Sequence, residues 1–368
     1  MSAIRVDGDL VHYEVLGRGR PVVLVHGWVG SWRYWIPTMQ KLHLKYRVYA
    51  VDLFGFGDSS KNPRKYDLEH QVKLMQAFMD ELVVKKAAVI GHGLGALVLT
   101  EYAQKNHDRI ARMLLTQVPL YDPGELDLRT LPEARAADPL PDDAPALIDD
   151  GDEVRVSLRP EAPPPDEPVV TSSLLLDRLS HRVRQRDGIA RPLHAPPAPA
   201  DPPPASEAPP PVVAELPAAE AQGDRHDNPL HRTLGALNPE TMLNRCFKRS
   251  EVFYEKLAQD VAKTDPQVVS KSTLGYDPGR VLDILRALQV PVVIVHGRDD
   301  PLVAEPSEDV LSYITAGRDD LLAPFTLPGV RHFPMLESDD FHQIASGVLE
   351  QEDLSNIALK SRWRRRAR

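Results

Sequence analysis

Short apolar runs alternate with longer stretches of helical spacing through the first 120 residues. Residues 3–17 alternate in polarity and turn at Asp7-Gly8-Asp9, the pattern of an opening hairpin at a sheet edge. Val22-Val23-Leu24-Val25 is instead a continuous apolar run, as expected of a strand buried on both faces of a parallel sheet. Further along, the pattern predicts a helix from Trp32 to about Leu44, a strand from Tyr46 to Leu53, and a helix from Leu68 to Val84. Val72, Met75, Phe78, Met79 and Leu82 form the apolar stripe of that second helix. Ala87-Ala88-Val89-Ile90 predicts another buried strand, followed by a helix to about Asn106 and a strand from Ile110 to Val118. Strands and helices in this alternation require right-handed crossovers, so the fold class is α/β, a doubly wound and mostly parallel sheet.

The alternation then stops for over a hundred residues. Of the 35 prolines, 22 fall between Tyr121 and Leu230. Runs such as Pro163-Pro164-Pro165 and Pro209-Pro210-Pro211, set among Ala, Asp and Glu, bury too little apolar surface to offset ordering entropy. The expectation for residues 121–228 is therefore a mostly disordered insertion with local polyproline II, and a short helix or docking segment at Ser172–Arg186. Helical character returns from Pro239 through Phe253, Tyr254, Leu257 and Val261, and again from Arg280 to Leu288, which predicts a helical cap over residues 229–289. Residues 290–352 resume the core with a strand at Val292-Val293-Ile294-Val295, a last strand from Pro324 to Leu327 and a closing helix from Asp339 to Leu349. With residues 1–120 as the first part of the core, only 353–368 remain, a basic tail built from Trp363 and Arg362, Arg364, Arg365, Arg366 and Arg368.

A formal net charge of −9 disfavours nucleic acid or a membrane surface as the partner of the core, and leaves the tail as the one place for contact with an anionic surface. The single cysteine, Cys246, excludes an internal disulfide, and neither an apolar leader nor a run of roughly 18 apolar residues is present. These features set the expectation of a cytoplasmic protein. His181, His194, His226 and His231 lack metal-ligand spacing, so no metal is expected, and no organic cofactor is indicated.

Five motifs lie at the ends of the expected strands: His26-Gly27-Trp28, Asp52-Leu53-Phe54-Gly55-Phe56-Gly57, Gly91-His92-Gly93-Leu94-Gly95, Gly297-Arg298-Asp299-Asp300-Pro301 and Gly329-Val330-Arg331-His332-Phe333. In order and spacing they resemble the α/β-hydrolase superfamily over residues 1–120 and 230–350. The resemblance implies that Gly91 to Gly95 is the sharp strand-to-helix elbow that carries the nucleophilic serine in Gly-x-Ser-x-Gly, and here the central residue is Gly93. It also implies Asp300 as the acid, with Asp299 beside it as the competing choice, and His332 as the base. Backbone N–H groups of Trp28 and Leu94, with Gly27 in the same loop, would form the oxyanion site. His26 reads as a structural residue of that loop. Ser31, Ser59 and Ser60 are the hydroxyls near enough in sequence to be considered as substitutes.

Three functions remain open at this point. The first is a hydrolase-like protein that binds a small, largely apolar ester, lactone, epoxide or ketone without forming an acyl-enzyme. The second is an enzyme in which a His332–Asp300 dyad acts as general base on water or substrate. The third is an interaction protein working through the proline-rich insertion and the basic tail.

Overall fold

The computed structural model describes residues 2–124, 126, 129, 228–318, 320–351 and 354. Chain contacts divide it into a unit of residues 1–136 with 223–368 and a second of 137–222, which lies outside the described residues. The expectations for the proline-rich insertion, for a helix at Ser172–Arg186 and for the basic tail fall outside them as well.

The first unit is built on an eight-stranded sheet in the order β1-β2-β4-β3-β5-β6-β7-β8. Its strands are β1 (Ser2–Val6), β2 (Asp9–Leu16), β3 (Arg20–Val25), β4 (Tyr46–Val51), β5 (Ala87–His92), β6 (Ile110–Thr116), β7 (Val292–Gly297) and β8 (Leu322–Leu327). The opening hairpin pairs antiparallel, as does β2 with β4, and every other neighbour is parallel. The apolar runs Val22–Val25 and Ala87–Ile90, read as buried strands, lie side by side in the middle of the sheet as β3 and β5. Pro324, which lacks the N–H a central ladder needs, falls on β8 at the edge.

Helices α1 (Ile36–Leu42), α2 (Leu68–Glu81) and α3 (Leu94–Lys105) connect the first strands. The helix expected from Trp32 is split, because Pro37 sits at the start of α1 and the preceding Trp32–Trp35 forms a separate 3-10 turn. α2 begins where Asp67 accepts a hydrogen bond from the His70 N–H, and its stripe of Leu74, Met75, Phe78 and Met79 is fully buried.

Five helices lie between β6 and β7 over the span expected to be helical: α4 (Pro229–Leu234), α5 (Pro239–Cys246), α6 (Tyr254–Val261), α7 (Val268–Thr273) and α8 (Pro278–Ala287). They are followed, beyond β7, by α9 (Glu308–Thr315), α10 (Pro334–Glu337) and α11 (Asp339–Glu350). The sequence reading did not single out α9, although Ser307 caps it by accepting from the Val310 N–H.

The strand order places the site. The chain steps from β3 outward to β4 and then returns to the other side of β3 for β5, so the loops leaving β3 and β5 diverge at their C-terminal ends and leave a crevice there. Residues 26–28 and 92–95 are those two loops. Their approach is tight. A Cβ on Gly95 would stand 2.4 Å from the Val25 carbonyl oxygen and 2.7 Å from that of His26. Neither atom can move without shifting β3, so Gly95→Ala is expected to lower stability by about 3 kcal/mol, read as a fall in the urea midpoint at unchanged m-value.

Candidate active site

β5 ends at His92, and the chain reverses through Gly93 into α3. Gly93 has φ 51° and ψ −111°, a backbone conformation that side chains disfavour and glycine accepts readily. Its N–H donates to the Thr116 carbonyl at 3.0 Å, and its own carbonyl accepts from Ala96 and Leu97 at the start of α3. The turn is thus held by β6 on one side and the helix on the other. A Cβ at residue 93 would come within 3.2 Å of Cε3 and Cζ3 of Trp28. That indole is fully buried and its Nε1–H donates to Ser272 Oγ on α7 at 3.0 Å, so the helices after β6 fix the ring against the elbow.

Beside His92, whose ring centroid is 4.6 Å from its own, His332 has Nδ1 2.8 Å from Asp300 Oδ2, and both the His332 and Asp300 side chains are all but inaccessible to solvent. Asp300 Oδ1 accepts from the Leu302 N–H at 2.8 Å, which fixes the carboxylate plane. Asp299, its neighbour, is exposed, so the ambiguity between the two acids resolves to Asp300. In the neutral ring, with the Nδ1 proton directed to the carboxylate, Nε2 carries the lone pair. Among the described residues Nε2 has no hydrogen-bond partner although it is buried.

Three contacts hold the loop bearing His332. Glu337 accepts from the N–H groups of both Arg331 and Phe333, Gln117 donates to the Arg331 carbonyl at 2.8 Å, and the Arg331 guanidinium pairs with Glu251 between α5 and α6. The guanidinium also lies over the Phe247 ring, 4.9 Å from its centroid. The hydrogen bond and the backbone contact to Lys248 hold the Glu251 carboxyl down at about 2.

The β3 loop is organised differently from the expectation. His26 is structural, as read: its Nδ1 contacts the Gly27 carbonyl at 2.8 Å and its Nε2 accepts from the Leu53 N–H at 3.0 Å. The Gly27 N–H, however, is already committed to Tyr34 Oη at 2.6 Å, so Gly27 offers no open donor. Its contribution is close approach, because a Cβ there would stand 2.9 Å from His92 Nδ1. The N–H groups of Trp28 and Leu94 have no acceptor among the described residues.

Ser59 and Ser60 are removed from candidacy by their own bonds. Ser59 Oγ donates to the Asp52 carbonyl and accepts from His12 N–H, while Ser60 Oγ accepts from Leu10 N–H. Ser31 Oγ accepts from Arg33 at the start of the 3-10 turn. None of the three is bonded to His332. Around them, His12, Asp52 and Asp58 bring ligand atoms within 4.8 Å of one another. Their charges are already matched: Arg33 and Lys263 bridge Asp58, while Asp52 accepts from His12 and from the N–H groups of Trp32 and Asp58. This arrangement braces the loop after β4 and has no free ligand set for a cation.

The structure thus puts Gly93 at the turn between β5 and α3 and brings His332 and Asp300 within hydrogen-bonding distance, and it adds to them Tyr34, His92 as a bonding residue, Ser272, Gln117 and Glu251, which the sequence did not point to. His92 lies within Gly91–Gly95, and its position between two glycines that permit close approach is the signal the sequence carries for it. Ser272, Gln117 and Glu251 reach their partners from distant segments, while Tyr34 comes from the 3-10 turn just after the β3 loop.

Comparison with known proteins follows the same outline. Residues 20–138 match the sequence model of the family described as alpha/beta hydrolase fold. The soluble epoxide hydrolase of Corynebacterium sp. (strain C12) is 34% identical over 115 residues, covering 31% of this chain and 40% of that protein. A pimeloyl-[acyl-carrier protein] methyl ester esterase of Aliivibrio fischeri (strain MJ11) is 32% identical over 111 residues, 28% of this chain and 38% of that protein. The match thus spans about 40% of the length of these relatives. Among solved structures, a thermophilic esterase from Thermogutta terrifontis superposes with a TM-score of 0.55 at 20% identity, covering 95% of this chain and 98% of that one. A serine-to-glycine mutant of the N-acyl homoserine lactonase AidH, complexed with N-hexanoyl homoserine lactone, gives 0.52 at 17% identity over 91% and 92%. At these identities the likeness to solved structures establishes the fold.

Proposed function

From its α/β-hydrolase fold, we propose that this protein binds a small acyl compound, an ester or lactone with a largely apolar body, and holds it without forming an acyl-enzyme. The observation that carries the reading is Gly93: the turn that presents a nucleophile in hydrolases of this fold is kept, and its residue has no side-chain oxygen. The ligand carbonyl oxygen is taken by the N–H groups of Trp28 and Leu94. His332 Nε2 accepts a hydrogen bond from the ligand or from a water held beside it, with Asp300 fixing the ring. The apolar body packs against Trp28 and the Phe333 and Phe247 rings, whose centroids are 5.3 Å apart. The AidH mutant complex supports the reading by analogy, since there a serine-to-glycine protein of this fold is complexed with a lactone.

Equilibrium dialysis with N-hexanoyl homoserine lactone tests it, with the compound recovered and analysed afterwards. The expected result is saturable binding with the lactone recovered intact, weakened about tenfold in His332→Ala, the value of one lost hydrogen bond. A fluorophosphonate adduct on any serine of the unmodified protein would overturn the proposal.

A second reading is favoured by the assembled dyad. With Nδ1 tied to Asp300 and Nε2 open, His332 is poised to take a proton from water or from an acidic C–H of the ligand. Lactone turnover that disappears in both His332→Ala and Asp300→Asn, without any covalent intermediate, would select this reading over simple binding.

A further inference from the structure

The structure assigns to Tyr34 and His92 the role of positioning residues that set where the His332 imidazole stands relative to the elbow and the β3 loop. This rests on the reading of His332 as the working imidazole. The argument begins with the directions of four hydrogen-bonding groups. Gly27 N–H can only donate, and it does so to Tyr34 Oη at 2.6 Å. The phenol proton is then free to go to His92 Nδ1, 2.8 Å away. At the other side of the same ring, His92 Nε2 is 2.8 Å from the carbonyl oxygen of His332, which can only accept. Nε2 must therefore carry the proton and Nδ1 the lone pair. One chain results, Gly27 N–H to Tyr34 O–H to His92 and from His92 to the His332 carbonyl, with each group used in the only sense open to it.

This chain joins three segments far apart in sequence: the loop after β3, the last residue of β5 immediately before Gly93, and the loop carrying His332. All four groups are buried, and Tyr34, His92, His332 and Phe333 pack as a cluster with ring centroids 4.6 to 5.5 Å apart. Burial and the neighbouring His332 push the His92 imidazole well down, so it stays neutral and keeps the tautomer the chain requires. His332 is the opposite tautomer, with its proton on Nδ1 toward Asp300. The two histidines thus differ in a way a spectrum can read, independently of any ligand or activity.

The experiment is 15N NMR of the full-length protein, with the His92 and His332 rings assigned by through-bond correlation to their own backbone. His92 is expected as the Nε2–H tautomer and His332 as the Nδ1–H tautomer at neutral pH. Two conservative variants then separate the halves of the chain. His92→Gln places an N–H where Nε2 stood and should leave the His332 signals close to those of the natural protein. His92→Asn can accept from Tyr34 but does not reach the His332 carbonyl, and should shift the His332 Nε2 signal and mix its tautomers, as should Tyr34→Phe in smaller measure. Finding His92 as the Nδ1–H tautomer would overturn the inference, and so would His332 signals that are the same in the Gln and Asn variants. The tautomer measurement on the natural protein stands even if a variant fails to fold. Loss of lactone binding with the expected tautomers intact would instead count against the proposed function alone.

Discussion

Gly93→Ser is expected to give this protein burst-phase acylation by short activated esters that the natural protein lacks, and Gly93→Ser with Trp28→Leu is expected to give a larger burst than either change alone. The first half follows from what the site already contains. In serine hydrolases removal of the nucleophile costs about 10⁶ in kcat while oxyanion donors and binding remain. Restoring the hydroxyl opposite an assembled His332–Asp300 pair should recover a substantial part of that factor, roughly 10²–10⁴. The second half follows from Trp28. The new Cβ would lie 3.2 Å from two ring carbons of an indole that is pinned by Ser272 and fully enclosed, so the serine and the indole must both give way by a few tenths of an ångström. Catalysis falls steeply with such displacement. Trimming the ring to leucine should add about another tenfold in the acylation rate, and Trp28→Leu alone should show no burst. A single variant that acylates as fast as the double would mean that Trp28 moves freely, and absence of a burst in both would mean that residue 93 does not face His332.

How much of this was legible in the chain depends on how far apart the interacting residues are. The buried strands and the glycines at the elbow announce themselves within a few residues, because strand burial and tight turns are local constraints on side-chain type, whereas Asp300 and His332 are implied only by the resemblance of their motifs to the α/β-hydrolase superfamily. The choice between Asp299 and Asp300 was not local, since it depends on which carboxylate the β7 exit turns toward the ring. Tyr34 was invisible for a stronger reason. On sequence it belongs to an apolar run with Trp32 and Trp35, and only the packing of the 3-10 turn under the β3 loop converts its hydroxyl into the partner of Gly27 and His92. Ser272 and Glu251 lie beyond the proline-rich insertion, and their pairing with Trp28 and Arg331 closes more than 200 residues in one case and 80 in the other. Helix α9 was not legible although Ser307 followed by Glu308 and Asp309 is a helix start, because at 8 residues it is too short for its apolar spacing to stand out.

Stability is expected to peak near pH 6.5 and to fall on both sides, with Asp52→Asn removing the alkaline limb of the curve. On the acid side, burial pushes His26, His92, His296 and His342 down, His342 to about 4, so each resists protonation in the folded chain and stability is lost as pH falls below their usual value. On the alkaline side the sign is set by His12. Burial alone would lower it, but hydrogen bonds to Asp52 and Glu14 outweigh burial and raise it to about 9 from 6.5. A histidine raised on folding contributes its full stabilisation below pH 6.5 and loses it as pH climbs through 9, by on the order of 3 kcal/mol. Asp260, held up at about 6 by burial against the pull of Arg33, loses its own contribution between pH 3.8 and 6 and so does not overlap that window. Asp52 itself is the anion that the His12 charge requires, and the same carboxylate accepts from the backbone of Trp32 and Asp58. Replacing it with asparagine leaves only Glu14 to favour the charged ring, so burial returns His12 to the neutral form and the stabilisation of about 3 kcal/mol is lost at neutral pH. Urea titrations from pH 5 to 10 on the natural protein and the variant read both effects: the natural protein should lose stability between pH 6.5 and 9, and Asp52→Asn should begin lower and run flat across that interval. A variant curve that falls in parallel with the natural one would place the alkaline titration on a group other than His12.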